Sequence, residues 1–272
     1  MSACCTSPPP RCRCISDERP CLLRTRAGLP VTPVPPSRGP DKSSGRISGM
    51  FDAIAPHYDL LNRVLSAGID RRWRARAIAS LELTGHEVVL DVCTGTADVA
   101  LQARRDGAAR VIGVDFAGAM LRLGLDKVCS AGQSGRIALI RGDATNLPVH
   151  DASVDAVTVA FGIRNVERTD AGCRELARAL KPGGRLAILE FGVPTLPGLR
   201  QLYQWYFRYL LPTVGRLVSG HGSAYTYLPQ SVGAFPSPPD FVTLLRQSGF
   251  TDVRAVPLTF GIVYLYTARR AP

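Results

Sequence analysis

From about residue 50 the chain alternates between two spacings of its apolar positions. Short β-branched runs fall at residues 87–92, 110–115, 136–141, 154–161 and 185–191, and segments with helical spacing lie between them. One of these segments sets Cys173, Leu176, Ala177 and Leu180 on one face, with Thr169 as its N-cap and Pro182-Gly183-Gly184 as its stop. Strands alternating with helices in this way predict a parallel sheet covered on both faces. A later helix begins near Pro239-Asp240, ends at Gly249 and is followed by strands at 252–256 and 260–268. The gap Pro257-Leu258-Thr259 is too short for a helical crossover, so these two strands must pair as a hairpin. The fold class is therefore α/β, a doubly wound seven-stranded sheet with a reversed C-terminal hairpin.

Residues 1–46 break the pattern. They hold nine prolines, including Pro8-Pro9-Pro10 and Pro35-Pro36, and show no apolar periodicity. Such a stretch cannot bury enough surface to offset its ordering entropy, so it is expected to be a disordered tail ahead of one domain over 47–272. It has no continuous apolar core of the kind a secretory signal carries. Cys12-Arg13-Cys14 lacks a partner His or Cys pair for a metal site. Beyond the tail only Cys93, Cys129 and Cys173 remain, too scattered for a disulfide framework and not at zinc spacing, which implies a reducing compartment and no metal.

Composition is ordinary for a globular chain, 46% hydrophobic and 20% charged. No run approaches the ~18–20 uninterrupted apolar residues of a membrane-spanning helix. Of the net charge of +11, seven Arg and one Lys against Asp17, Glu18 and Asp41 place +5 in the tail and leave +6 for the rest. No Lys/Arg stripe interleaves with aromatics, so nucleic acid is not an expected partner.

Candidate chemistry begins where the first strand ends. Val89-Leu90-Asp91-Val92 runs into Cys93-Thr94-Gly95-Thr96-Ala97-Asp98, and helical spacing resumes at Val99. Ligands of doubly wound sheets bind at the carboxyl ends of the strands. Gly95 allows close backbone approach, and Asp115, twenty residues on at the end of the second strand, is placed for ribose hydroxyls. A dinucleotide site would want three glycines, where Gly95-Thr96-Ala97-Asp98-Val99-Ala100 has one. S-adenosylmethionine carries no phosphates and tolerates that loss. Gly142-Asp143-Ala144 adds an acid for an adenine amino group, and the reversed hairpin points to a class I methyltransferase.

Several segments then resemble one family. Tyr58-Asp59-Leu60-Leu61-Asn62 with Leu65-Ser66 and Trp73, Phe161-Gly162-Ile163-Arg164-Asn165-Val166, and Arg178–Leu186 running on to Leu189-Glu190-Phe191 are similar to motifs of the ubiquinone/menaquinone biosynthesis C-methyltransferases. Tyr225, Tyr227, Leu228, Ser231 and Phe235 match a late segment of that family. The likeness covers roughly residues 50–268. It departs at Leu61 (usually Met), Asp70 (usually His), Cys93 and Ala97 (usually Gly), Gly192 (usually Ser) and Ala160 (often Ser).

The resemblance implies methyl transfer from S-adenosylmethionine to a ring carbon of a polyprenyl quinol precursor. It assigns Thr96, Asp115, Asp143 and Ala144 to the cofactor, with Gly95 and Asp91 from the same turn. It places Arg164 at the quinol hydroxyl with Asn165 in support, and Tyr58 with Asp59 in an N-terminal lid. An arginine is a poor general base, its ordinary pKa exceeding ~12, so electrostatic activation is the expected role. The bland alternative for Arg164 is a salt bridge to Asp143 or Glu167. Demethylmenaquinol is the favoured substrate; the benzoquinol of the ubiquinone pathway, a non-catalytic cofactor-binding module and an NAD-dependent reductase stay open. The aromatic-aliphatic segment 199–218, with Arg200, Arg208 and Arg216, suits peripheral contact with a membrane, within a cover insertion over 199–236. The expected setting is cytoplasmic, at the inner membrane surface, with a homodimer as an open option.

Overall fold

The structure is a computed structural model that describes residues 42–194, 196–206, 209 and 223–272. The proposed tail up to residue 41, and Phe207, Arg208, Leu210, Leu211 and Arg216 of the aromatic segment, lie outside the described residues. In chain order the elements are α1 (Ser44–Ile54), α2 (Tyr58–Leu65), α3 (Asp70–Ala79), β1 (Val88–Val92), α4 (Asp98–Arg105), β2 (Arg110–Asp115), α5 (Gly118–Ser130), β3 (Ile137–Arg141) and β4 (Val154–Ala160). There follow α6 (Thr169–Ala179), β5 (Leu180–Phe191), α7 (Pro197–Trp205), α8 (Ser223–Gly233), α9 (Pro238–Gln247), β6 (Phe250–Leu258) and β7 (Val263–Arg270).

The strands form one seven-stranded sheet in the order β3-β2-β1-β4-β5-β7-β6. The first five pair in parallel, and β7 runs antiparallel between β5 and β6. Successive side chains of a strand face opposite sides, and here both sides are dry. Leu90, Val157 and Leu186 pack with α6 and α9 through Cys173, Leu176, Phe241 and Leu245. Val89, Ala156 and Ala187 pack with α3 and α4 through Trp73, Ile78, Ala100 and Ala103. This double cover is why the central strands read as continuous apolar runs.

Four boundaries differ from the sequence expectation. Helix α1 begins at Ser44, so residues 44–46 belong to the folded part. Thr169 is the first residue of α6, not its cap: Arg168 holds the cap position and no side chain caps the helix. Strand β5 starts at Leu180 and carries Pro182-Gly183-Gly184 within it, the register against β4 shifting between Val154 and Ala156. The last hairpin turns at Thr259–Gly261, where Thr259, Phe260 and Gly261 take φ of 45°, 57° and 86°. Three left-handed residues reverse the chain in little space, which apolar spacing alone does not reveal.

Candidate active site

The order in which successive strands are added reverses between the parallel strands β1 and β4, and there the strand ends open a crevice. Two cavities meet in it. One, about 130 Å³, is lined by Gly95, Asp115, Asp143, Ala144 and Asn165 among others. The second, about 420 Å³, has mostly apolar walls that include Ile54, Trp73, Phe191, Tyr203 and Leu228, with Arg164 and Arg74 among its few charged groups. Phe51, Tyr58 and Phe161 line both. An elongated ligand in the first can therefore reach a ring held in the second.

The turn after β1 is built from left-handed residues: Cys93, Gly95 and Ala97 have φ of 57°, 56° and 65°. A Cβ on Gly95 would find only Tyr58 Cε1, at 4.0 Å, so the chain presents bare backbone there. Gly95 N donates to Asp115 Oδ2 at 2.7 Å and Ala117 N donates to Oδ1 at 2.8 Å, which clamps this carboxylate at the cavity wall. Burial raises its pKa, and the bonds from Ala117 and Gly95 oppose the rise. Asp143, in the cavity wall, commits Oδ1 to the amide and hydroxyl of Thr145, at 2.8 and 2.9 Å. Asn165 Oδ1 is buried without a hydrogen-bond partner. A buried orphan acceptor is costly unless a donor arrives, so it marks a place where a ligand fits.

Two sequence candidates do not face this cavity. Thr96 Oγ1 donates to Asp59 Oδ1 at 2.7 Å and accepts from Lys127 Nζ at 2.9 Å. Lys127 also pairs with Asp59 and Asp98, and Arg74 joins Asp98 to Asp70. Thr96 thus belongs to a chain of polar contacts that fastens α2 and α3 to the loop. Asp70 sits in that chain, accepting from Ser66 Oγ at 2.8 Å. Asp91 is buried behind the turn, its Oδ2 accepting from Thr94 Oγ1 at 2.5 Å. Burial pushes its pKa up to about 7 against the pull of that bond.

Arg164 and Asn165 share the short 3-10 turn Ile163–Asn165, yet Arg164 reaches the large cavity and Asn165 the small one. The salt bridge considered for Arg164 exists with a different partner: Nη1 lies 2.6 Å from Glu190 Oε1, with side-chain exposures of 7% and 0%. Nη1 also donates to Phe161 O, and Nε to Ser231 Oγ at 3.3 Å. The guanidinium lies over the Phe191 ring, 5.3 Å from its centroid. Nη2 has no hydrogen-bond partner among the described residues. Tyr58, where the cavities meet, has its phenol pKa raised by burial, with the Asn62 hydrogen bond pulling it down.

Sequence reasoning named Glu190, Ser231 and Phe161 only within family motifs and gave them no place in the site, and it missed Lys42. Glu190 carried a signal, a lone acid in the apolar run Leu186–Phe191. Lys42 was counted with the tail, but it lines the small cavity; burial lowers its pKa, Glu190 opposes that and Arg164 adds to it. Phe161 carries φ of 60° in its turn, which nothing in an F-G pair announces.

The chain is 49% identical over 82% of its length to a ubiquinone/menaquinone biosynthesis C-methyltransferase UbiE of Syntrophotalea carbinolica, 93% of which is covered. It is 42% identical over 89% of its length to a demethylmenaquinone methyltransferase of Bacteroides fragilis, covering 99% of that protein. Solved structures share the fold: the [4+2]-cyclase SpnF has a TM-score of 0.63 at 20% identity, covering 86% of this chain and 99% of that one. A SAM-dependent methyltransferase of Aquifex aeolicus has a TM-score of 0.54 at 17% identity, covering 73% and 89%. With a family model matched over residues 40–270, the chain belongs to the ubiE/COQ5 methyltransferase family.

Proposed function

We propose that this protein methylates the ring of demethylmenaquinol. The chain is a C-methyltransferase of quinone biosynthesis that uses S-adenosylmethionine. The observation that carries the reading is the meeting of a cavity walled by three carboxylates, Asp115, Asp143 and Glu167, with a larger apolar one holding a buried arginine. The small cavity fits the cofactor: Asp115 for the ribose hydroxyls, Asp143 for the adenine amino group, Ala144 beside it, bare backbone at Gly95, and the orphan Asn165 Oδ1 as an acceptor. Asp91 and Thr96 serve it from behind, by shaping the loop. The naphthoquinol is favoured over the benzoquinol by the loop residues Asp91–Thr96 and by the kinship with the Bacteroides fragilis protein.

The bound cofactor supplies an electrophilic methyl group on sulfur. The protein must then make a ring carbon nucleophilic and hold it in line. A quinone ring is too electron-poor, so the quinol is the substrate. Arg164 lines the apolar cavity with its Nη2 uncommitted to any described residue, and a cation there stabilises the negative charge developing on a quinol oxygen. The apolar walls exclude water and so strengthen that interaction. Phe51, Tyr58 and Phe161 fix the ring where the cavities join, which lowers the entropic part of the barrier.

The test is a paired turnover assay on the full chain, with S-adenosylmethionine and either demethylmenaquinol or the benzoquinol precursor, products identified by mass spectrometry. Methylation of the naphthoquinol alone is expected. Turnover of both would make this a dual-pathway enzyme, and cofactor binding with no product from either would overturn the catalytic reading.

A further inference from the structure

The geometry points to Glu190 as the positioning residue that sets Arg164 at the quinol cavity, an inference that rests on the role given to Arg164 above. Glu190 is fully buried in β5 among Leu186, Ala187, Ile188 and Leu189, each at most 1% exposed. An acid there contributes little that an apolar side chain would not, because burying an ion pair costs about as much as the pair returns. Its contacts explain it better. Oε1 accepts from Arg164 Nη1 at 2.6 Å and from the amide of Phe191 at 2.8 Å. Oε2 accepts from the backbone amide of Arg164 at 3.2 Å. One carboxylate thus grips both the guanidinium and the peptide of the same residue.

Two consequences follow from that grip. With Nη1 held by Glu190 and Phe161 O, and Nε by Ser231, the donors left over point from Nη2. The guanidinium cannot swing away without breaking the buried pair. The bond to the Arg164 amide also anchors the turn Ile163–Asn165, so the same acid bears on Asn165 in the neighbouring cavity. Glu190 lines neither cavity; it acts through Arg164.

The experiment uses the full chain and four variants: Glu190→Gln, Glu190→Asp, Arg164→Gln and the double Glu190→Gln/Arg164→Gln. For each, kcat and KM with demethylmenaquinol, the S-adenosylmethionine Kd and Tm are measured. Glu190→Gln is expected to lower kcat at least about tenfold while KM and Kd stay within about threefold, the pattern of a misplaced group rather than a lost binding contact. Glu190→Asp, which keeps the charge one methylene short, should fall between wild type and Glu190→Gln. The double variant should match Arg164→Gln in kcat within about twofold, since Glu190 has nothing left to position, and should melt higher than either single because no buried charge stands alone. A Glu190→Gln or Glu190→Asp protein that melts lower but turns over like wild type would make Glu190 purely structural. A double variant slower than Arg164→Gln by as much as Glu190→Gln is slower than wild type would overturn positioning and give Glu190 a role of its own. An Arg164→Gln protein with wild-type kcat would instead bring down the Arg164 reading, and this inference with it.

Discussion

Asp91 shows how one buried side chain can govern the response of the protein to pH. Burial, helped by the nearby Asp115 and resisted by the Thr94 hydroxyl, carries its pKa to about 7. In an unfolded chain the same group titrates near 3.9. Between about pH 4 and 7 the folded protein therefore holds a proton that the unfolded chain has released. Stability then falls as pH rises across that window, by roughly 4 kcal/mol at most for a three-unit gap, and levels off above it. Glu87 behaves oppositely: burial works against it, but the amide and hydroxyl of Thr84, with Arg185, take its pKa down to about 2. Its contribution is lost as pH falls from about 4.5 to about 2, so the two effects overlap only near pH 4 and Asp91 alone acts between pH 5 and 7. Asp91→Asn should accordingly gain on wild type in thermal unfolding as pH climbs from 5 to 7, with a constant difference beyond. A difference that is flat from pH 5 to 8 would mean that Asp91 is already ionised in the folded state. The sequence marked this turn as the cofactor loop, but spacing along a chain does not tell which side chains of a left-handed turn face a ligand. Asp115 and Asp143 line the cavity; Asp91 and Thr96 turn the other way. The Glu190 partner of Arg164 lies 26 residues away, a distance at which apolar periodicity is silent.

At the scale of elements, the turn after β1 and the turn after β4 meet at two residues. A Cβ on Gly162 would lie 2.2 Å from Cys93 Cβ and 2.8 Å from its Sγ. Neither backbone has room to retreat: Thr94 N donates to Val114 O at 3.1 Å, and Asn165 N donates to Gly162 O at 2.9 Å. Gly162→Ala should thus destabilise by about 1–3 kcal/mol, the usual cost of overpacking, and weaken cofactor binding by displacing Asn165. Cys93→Gly removes the obstacle and also relieves a left-handed non-glycine residue, worth about 1–2 kcal/mol. In the double variant Gly162→Ala should cost almost nothing. Urea unfolding of the four proteins gives the coupling directly, and additive effects would show that another contact makes Gly162 necessary. The strands themselves were legible because two-sided burial leaves long apolar runs in β1, β4 and β5. Their ends were not, since hydrogen bonding carries β5 back to Leu180 through a Pro-Gly-Gly that reads as a stop.

The whole molecule presents an oily face around the large cavity. Leu202 and Trp205 line that cavity and are still 59% and 53% exposed. Phe260 is 71% exposed in the β6–β7 turn, between Thr259 and Ile262, which both line the cavity. That turn is pinned from inside, because Trp73 Nε1 donates to Thr259 Oγ1 at 2.9 Å. Among the described residues no helix is long and apolar enough to cross a membrane. A polyprenyl tail stays in the bilayer, so a protein that methylates its head group must meet the lipid surface or wait for rare escape. An exposed apolar rim with a net charge of +11 suits an anionic bilayer. Phe260 tests this cleanly, since it lines neither cavity. Asn tolerates its φ of 57° and cannot partition into acyl chains. Burying a phenyl ring this exposed is worth about 1.5 kcal/mol, a factor of roughly ten. Phe260→Asn should therefore lower the partition coefficient onto phosphatidylglycerol vesicles, read by sedimentation, about tenfold and raise KM for a long-tailed quinol in those vesicles. Turnover of a short-tailed, water-soluble quinol should stay at the wild-type rate. Equal loss on both substrates would place Phe260 in the folding of the turn instead, and no loss on either would leave the tail to enter by a route that the β6–β7 turn does not border.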